Sequence, residues 1–361
     1  MTQAFSNEAY AEQLQVKVEQ IQTSFKQFEL PDLEVYDSPP VGFRMRAEFK
    51  IWHEGTRAHY AMYRQGEYKK PYIVEDFPQG YATIGKLMPL LLQAINNSEL
   101  LRRKLFQVEF LTTLSGEALI TLIYHKKLDD SWVAQAESLQ QQLNIKIMGR
   151  SRKQKLVLSE DFVTETLSVN QQSFHYQQIE SSFTQPNARV CEKMLSWAVA
   201  KSKDLGGDLL ELYCGNGNFT LPLSKNFNRV VATELAKSSV YSAKHNMALN
   251  NIENVALARM SSEEFSQAMD KVRPFRRLRH IDLDDYNFST IFVDPPRAGL
   301  DPHTTDICKR FENILYISCN PETLQRDLTE LCRSHDIQAF AIFDQFPFTH
   351  HIECGALLRR K

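Results

Sequence analysis

Five apolar runs in the second half of the chain, DLLELYC, RVVATEL, VALARM, STIFVDPP and NILYISCN, alternate with helical stretches after about residue 180. Parallel strands cannot be joined by tight turns, so this alternation demands a parallel, doubly wound sheet with helical crossovers. In such a sheet ligands bind beyond the carboxyl ends of the strands. The chemically suggestive residues Glu234, Asp294 and Cys319 stand at the ends of such runs.

The first half has a different rhythm. AYAEQLQVKVEQIQTSFKQF carries Leu14, Val18, Ile21 and Phe25 at helical spacing. FRMRAEFKIWH, HYAMYR, KLFQVEFLTTL, EALITLIYHK and IKIMGR then read as strands, with Ser115-Gly116-Glu117 as a hairpin turn. YATIGKLMPLLLQAINNSELLRRK reads as a helix on that sheet. The fold class expected is α/β: an N-terminal α+β domain over 1–178 and a Rossmann-like domain over 179–361. A length of 361 residues suits two domains, and 43% apolar residues suffice for real cores.

A net charge of −2 does not announce a nucleic-acid binder, but its distribution is uneven. Positions 1–40 hold two basic and seven acidic residues, whereas 41–175 hold eighteen and fourteen. Basic clusters occur at Arg44/Arg46, Arg102–Lys104, Lys126/Lys127 and Arg150–Lys155; singly, such clusters are as a rule solvated faces. The six cysteines all lie at or beyond Cys191 without a CxxC pair, as expected of reduced thiols. With no apolar run of membrane length and no secretory signal, a cytoplasmic protein is expected.

DLLELYCGNGNFTLPLSKNF reads as strand, glycine turn and helix, in which Gly215 and Gly217 permit a close backbone approach to a ligand. Glu234 follows Gly215 by nineteen residues, the spacing at which a carboxylate accepts hydrogen bonds from ribose hydroxyls. The loop is shorter than GxGxxG, which counts against a dinucleotide and suits S-adenosylmethionine, a nucleoside without a pyrophosphate. Ser262 to Glu264, after the third strand, are expected near the adenine.

In STIFVDPPRAGL two prolines fix the backbone behind Asp294, aiming it at substrate or cofactor. Amino-nitrogen methyltransferases carry an aromatic after the prolines, and Arg297 departs from that pattern. NILYISCNPETL puts Cys319 at the end of the next strand. A cysteine there is by default a small buried filler, but beside a methyl donor it has a task. C5 of uracil is a poor nucleophile, and addition of a thiolate at C6 gives it electron density. A thiol with an ordinary pKa is little ionised at neutral pH, so Cys319 needs activation, for which nearby N–H donors and Arg297 are the candidates. A base must afterwards remove the C5 proton, and FDQFPFTHHIECGALLRR offers His350, His351 and Glu353, which chemistry alone does not separate.

With DPPR, SCNP and the HHIECG tail, the sequence resembles the RNA 5-methyluridine methyltransferases. Within them it is most similar to the tRNA (uracil-5-) branch acting on the T-loop uridine at position 54. Further motifs carry the likeness along nearly the whole chain: FRMRAEF, LTTLS, YHKKLDD, SFTQPN, ELYCGNGNF and DQFPFTHH. The resemblance implies Cys319 as nucleophile, Glu353 as proton acceptor, and cofactor contacts at Gln185, Tyr213, Asn218, Glu234 and Asp294. It implies an RNA-binding N-terminal domain, S-adenosyl-L-methionine as cofactor, and tRNA (its T-arm, or tRNA-like RNAs) as partner. Absence of cysteine before Cys191 leaves no N-terminal iron–sulfur centre, and no metal is expected. No membrane or obligate protein partner is implied. The alternatives are a ribosomal-RNA enzyme and a tRNA-binding or -folding protein whose catalysis is secondary.

RNA loops are read by splaying bases onto aromatic platforms while Lys and Arg hold phosphates. Phe43, Arg44, Arg46, Phe49, Phe106, Tyr124, His125 and Lys126 interleave the two types. Phe106 and His125, near strand ends, are the stacking candidates, with Arg297 as a further RNA contact. Aromatics in an ordinary sheet core are the competing reading for each.

Overall fold

The computed structural model describes residues 5–64, 66–67 and 71–361. The chain forms two compact units, one comprising residues up to Ser38, Leu167–Tyr176 and Arg189–Lys361, the other Pro39–Thr166 and Gln177–Ala188. A single cut at 178 is therefore not how the chain divides. The reason is the apolar stripe of the first helix. In α1 (Asn7–Ser24), capped by the Ser6 hydroxyl, Ile21 is buried. Phe25 follows it into the core of the C-terminal unit, its ring 5.0 Å from Phe340. β1 (Leu33–Tyr36) then pairs in parallel with residues 340–343, at the edge of that unit's sheet.

The second unit is the expected α+β body. Its sheet contains β2 (Arg46–Glu54), β3 (Arg57–Tyr63) and β4 (Pro71–Ile73). The helices α2 (Ala82–Asn97) and α3 (Glu99–Arg102) precede β5 (Leu105–Thr112) and β6 (Ala118–Tyr124), and α4 (Asp130–Leu143) precedes β7 (Lys146–Ser151) and β8 (Gln154–Val157). The order is β4-β3-β2-β5-β6-β7-β8. Only β6 and β7 are parallel, joined by α4, as a crossover requires. Phe49, Tyr60, Ile84, Leu91, Phe110, Tyr124 and Trp132 fill the core between helices and sheet. β9 (Phe162–Val169) and β10 (Gln172–Ile179) make a two-stranded ribbon. Asn170 and Gln171 at its tip both have positive φ, as a two-residue hairpin turn needs.

The C-terminal sheet is built from β11 (Asp208–Leu212), β12 (Val230–Thr233), β13 (Val255–Ala258), β14 (Phe288–Val293), β15 (Asn313–Ser318), β16 (His335–Phe343) and β17 (Glu353–Arg360). Its helices are α5 (Ala188–Ser202), α6 (Thr220–Leu223), α7 (Lys237–Leu249), α8 (Ser262–Met269), α9 (Pro302–Cys308) and α10 (Pro321–Leu331). The helix expected after the glycine turn is only the four residues of α6 before a 3₁₀ turn. The order β1-β16-β17-β15-β14-β11-β12-β13 reverses direction between β11 and β14, the place where such sheets bind ligands. Every residue of β11 and β15 is buried, as central parallel strands must be. The last strand, β17, is wedged antiparallel between β15 and β16. Among the described residues no helix is long and apolar enough to cross a membrane.

β17 is seated by a close approach. Trp197 of α5 lies on it, and a Cβ added at Gly355 would come within 2.7 Å of the indole. Gly355→Ala should therefore overpack this contact and lower stability by ~1–3 kcal/mol, read as a reduced thermal midpoint. An unchanged midpoint would mean that Trp197 moves freely.

Candidate active site

The site is assembled by register. Glu211 pairs with Phe292 and Leu212 with Val293, and Val293 pairs in turn with Tyr316. The strands therefore end nearly together. Tyr213, Glu234, Asp294 and Cys319 each occupy the first position past the carboxyl end of β11, β12, β14 and β15. Glu353 reaches the same edge from the opposite direction, as the first residue of antiparallel β17. Ser318 pairs with Cys354, so Cys319 and Glu353 follow and precede partners of one ladder rung.

All six cysteines are free, and Cys319 is one of two that are not buried. Its thiol is nonetheless pushed up to about 11, first by burial, then by the negative charges of Glu353 and Asp294. Its backbone N–H and Arg297 oppose the rise without cancelling it. Both candidate activators therefore act in the expected direction, but burial and the two carboxylates outweigh them. The acids are displaced in the same sense. Burial, with Asp294 adding to it, lifts Glu353 to about 8, and burial lifts Asp294 to about 7. Glu353 is only 7% exposed. Desolvation penalises each charge, and the clustered carboxylates penalise one another. Among the three base candidates, Glu353 is the charge that acts most on Cys319. His350 is exposed; the half-buried His351 is shifted down by burial, then by His350 and Arg297.

The Pro-Pro turn after Asp294 is fastened to the start of α10. The Asn320 side-chain amide donates to the Arg297 carbonyl at 3.1 Å, and Thr323 Oγ1 donates to it at 3.3 Å. Leu300 N donates to Asp327 Oδ2 at 2.8 Å, while Tyr316 OH donates to the same oxygen at 2.6 Å. Arg297 itself is exposed, its guanidinium outside this network.

The glycine turn beside β11 suits a nucleoside. Tyr213 and Gly215 have φ of 62° and 57°, and a Cβ on Gly215 would meet nothing within 4 Å. Glu234 Oε2 accepts Gly215 N–H at 3.0 Å and Oε1 accepts Ala236 N–H at 2.6 Å, which sets the carboxylate at the turn. Tyr213 OH donates to Ser262 Oγ at 3.0 Å, bringing the Ser262–Glu264 segment to a candidate cofactor residue. Ser261 and Glu264 form a capping box for α8. Sequence reading missed Glu211, buried in β11, its pKa lifted to about 8 by burial and then by Asp294, with only the Thr220 hydroxyl opposing the rise. An acidic residue inside the otherwise apolar DLLELYC was the available signal. A buried carboxylate in the strand that leads into this open glycine turn fits a cationic nucleoside ligand such as S-adenosylmethionine. The Asn218 side chain meets Cys191 Sγ at 3.5 Å, and its carbonyl accepts Tyr176 OH at 3.0 Å. Gln185, half-buried, belongs to the other unit. Among the described residues no group of three or more His, Cys, Asp or Glu is placed to hold a metal.

In that other unit the aromatic candidates separate. Phe43, Phe49 and Tyr124 are core residues, so they are not platforms. Phe106 is 37% exposed and stacks on exposed His125 at 4.2 Å and 22°. A register shift in the β5–β6 ladder between Leu105 and Gln107 accompanies the outward turn of Phe106. Lys50 Nζ lies 4.2 Å over the Phe106 ring, and Trp52, two residues along β2, is 47% exposed. Of the basic clusters, Arg46 donates to the Ser182 carbonyl and Arg150 pairs with Glu180, so both are committed within the fold.

These fields make a direct prediction. Iodoacetamide alkylation of Cys319 in the ligand-free protein should accelerate through pH 9 without reaching a plateau. Glu353→Gln, which removes the largest opposing charge, should move the profile to lower pH. Mass spectrometry of the Cys319 peptide reads both; a plateau near neutrality would contradict the electrostatics.

The family model for tRNA (uracil-5-)-methyltransferase matches residues 9–361. A relative from Cellvibrio japonicus, named tRNA/tmRNA (uracil-C(5))-methyltransferase, is 59% identical over 100% of this chain and 98% of its own. One of the same name from Saccharophagus degradans is 57% identical over 98% and 97%. The solved tRNA (uracil-54, C5)-methyltransferase of Pyrococcus abyssi, in complex with S-adenosyl-L-homocysteine, shares the fold. Its TM-score is 0.74 at 21% identity, over 97% of this chain and 83% of that one. The chain belongs to the tRNA (uracil-5-)-methyltransferase family.

Proposed function

We propose that the protein methylates C5 of the uridine at position 54 in the T-loop of tRNA, and of the matching uridine in tRNA-like RNAs such as tmRNA. The observation that carries the reading is the meeting of Cys319, Glu353 and Asp294 at one sheet edge beside a nucleoside cradle. Gln185, Tyr213, Asn218, Glu234 and Asp294 would hold S-adenosyl-L-methionine, which when bound supplies an electrophilic methyl group. No metal is required.

Cys319 Sγ adds to C6 of the uracil, forming the S–C6 bond as the ring electrons move towards O4 and C5 becomes nucleophilic. A thiol held near 11 reacts as thiolate only after losing its proton, so that step is coupled to substrate binding. Once C5 carries the methyl group, Glu353 accepts the C5 proton, the C5–C6 double bond re-forms and the S–C6 bond breaks. A base held to about 8 is well matched to this work, since it is strong yet partly ionised at neutral pH. Asp294, between cradle and thiol, opposes ionisation of Glu353.

RNA is held by the outward aromatics of the second unit. Exposed His125, stacked on Phe106, offers its outer ring face to an unstacked base, and Lys50 over the Phe106 ring adds a cation to the same cluster. Stacking worth ~1–3 kcal/mol per base is comparable to the cost of extruding the target. Arg297, exposed and near enough to act on the thiol, would meet a phosphate.

Labelled methyl transfer to a T-arm hairpin tests the reading. It should depend on the target uridine, fall on the order of 10³-fold or more in Cys319→Ala, and weaken chiefly in KM for RNA in Phe106→Ala. Transfer to ribosomal RNA but not to tRNA, or undiminished turnover in Cys319→Ala, would overturn it.

A further inference from the structure

Lys17 stands on the buried face of α1 with 3% of its surface exposed, an unusual place for an ammonium group. Its three N–H bonds each find an acceptor. They reach Asp344 Oδ1 at 2.7 Å, the Phe346 carbonyl at 3.1 Å and the His351 carbonyl at 2.8 Å. Asp344 is itself fully buried. One charge therefore fastens both ends of the segment between β16 and β17. Four residues earlier on the helix, Gln13 Nε2 donates to the Thr349 carbonyl at 2.8 Å and Gln13 Oε1 accepts Phe348 N–H at 3.3 Å. Tyr10, three residues before that, packs edge-on against the Phe348 ring at 5.8 Å. Tyr10, Gln13 and Lys17 share one helix face, and each of the three contacts the 344–351 segment.

The segment depends on this support. Phe348 has φ of 59°, a conformation unfavourable for an aromatic residue. The segment ends at Glu353, which is paired on one side only: with Phe343 of β16, whereas the β15 ladder begins at Cys354. The backbone of Glu353, the first residue of β17, thus depends on the residues that lead into it. A buried ion pair is a poor means of adding stability compared with apolar packing, but it fixes geometry.

We propose that Lys17 is a positioning residue for the elimination step: through Asp344 and the Phe346 and His351 carbonyls it sets where Glu353 meets the C5 proton. The proposal rests on the reading of Glu353 as proton acceptor. Thiol addition and methylation of C5 do not need that carboxylate, whereas release of the RNA does. Loss of the clamp should therefore slow one step selectively, because a base displaced by about an ångström loses on the order of 10²-fold in rate.

The test is single-turnover methylation of a T-arm RNA with S-adenosylmethionine, quenched in denaturant and resolved for free RNA and covalent protein–RNA complex. Both Glu353→Gln and Lys17→Met should accumulate the methylated covalent complex. In Lys17→Met, kcat should fall about 10–100-fold, with KM for RNA and cofactor within about 3-fold. Gln13→Ala, at a half-buried site that leaves the ion pair intact, should shift the same way by less. If Glu353→Gln accumulates the complex but neither Lys17→Met nor Gln13→Ala does, the positioning role is overturned. The same holds if formation and decay of the complex slow equally in both variants. If Glu353→Gln itself does not accumulate it, the assignment of Glu353 fails, and the role of Lys17 with it.

Discussion

The catalytic unit depends on register at the carboxyl edge of one sheet. Parallel pairing of β11, β14 and β15 ends three strands side by side, and antiparallel β17 begins where they stop. One slip of register would turn each of these side chains to the other face of the sheet. The same edge is apolar enough to push Asp294, Glu353 and Glu211 up to between about 7 and about 8, and the Cys319 thiol up to about 11. Burial at this edge therefore disfavours charge on each of these four groups. The reactive forms carry charge, so they are costly until a substrate can use them.

This arrangement divides the labour. A thiol held protonated is protected from adventitious electrophiles, while a carboxyl held near neutrality both gives up and accepts protons readily. Asp294 couples the two halves, since its charge raises Glu353 and the thiol alike. Support comes from outside the site: α10 holds the Pro-Pro turn, and α1 holds the segment leading into β17.

Much of this was legible in the sequence because strand ends are legible. DPPR and SCNP each close an apolar run, and the glycines of ELYCGNGNF mark a turn, so Glu234, Asp294 and Cys319 fall at the edge without coordinates. The N-terminal helix was recognisable by its spacing, but not the unit it joins, because Ile21 and Phe25 fit any apolar surface and only pairing of β1 with β16 decides. Lys17 was hidden for the opposite reason: a lysine in a helix reads as solvated, and its acceptors lie more than three hundred residues away. Phe43, Phe49 and Tyr124 looked like Phe106 in sequence, and only the register shift at Leu105/Gln107 and the packing of the core separate them. The direction of the thiol's shift was equally out of reach, since it sums burial with charges brought from β14 and β17.

The central claim is that Cys319 forms a bond to C6 of the target uridine. A T-arm RNA with 5-fluorouridine at that position tests it most directly, because fluorine cannot leave C5 as a proton does. Incubation with S-adenosylmethionine should give a denaturation-resistant complex whose RNA adduct maps to the Cys319 peptide by mass spectrometry. No covalent complex with active enzyme, or an undiminished one in Cys319→Ala, would contradict the account.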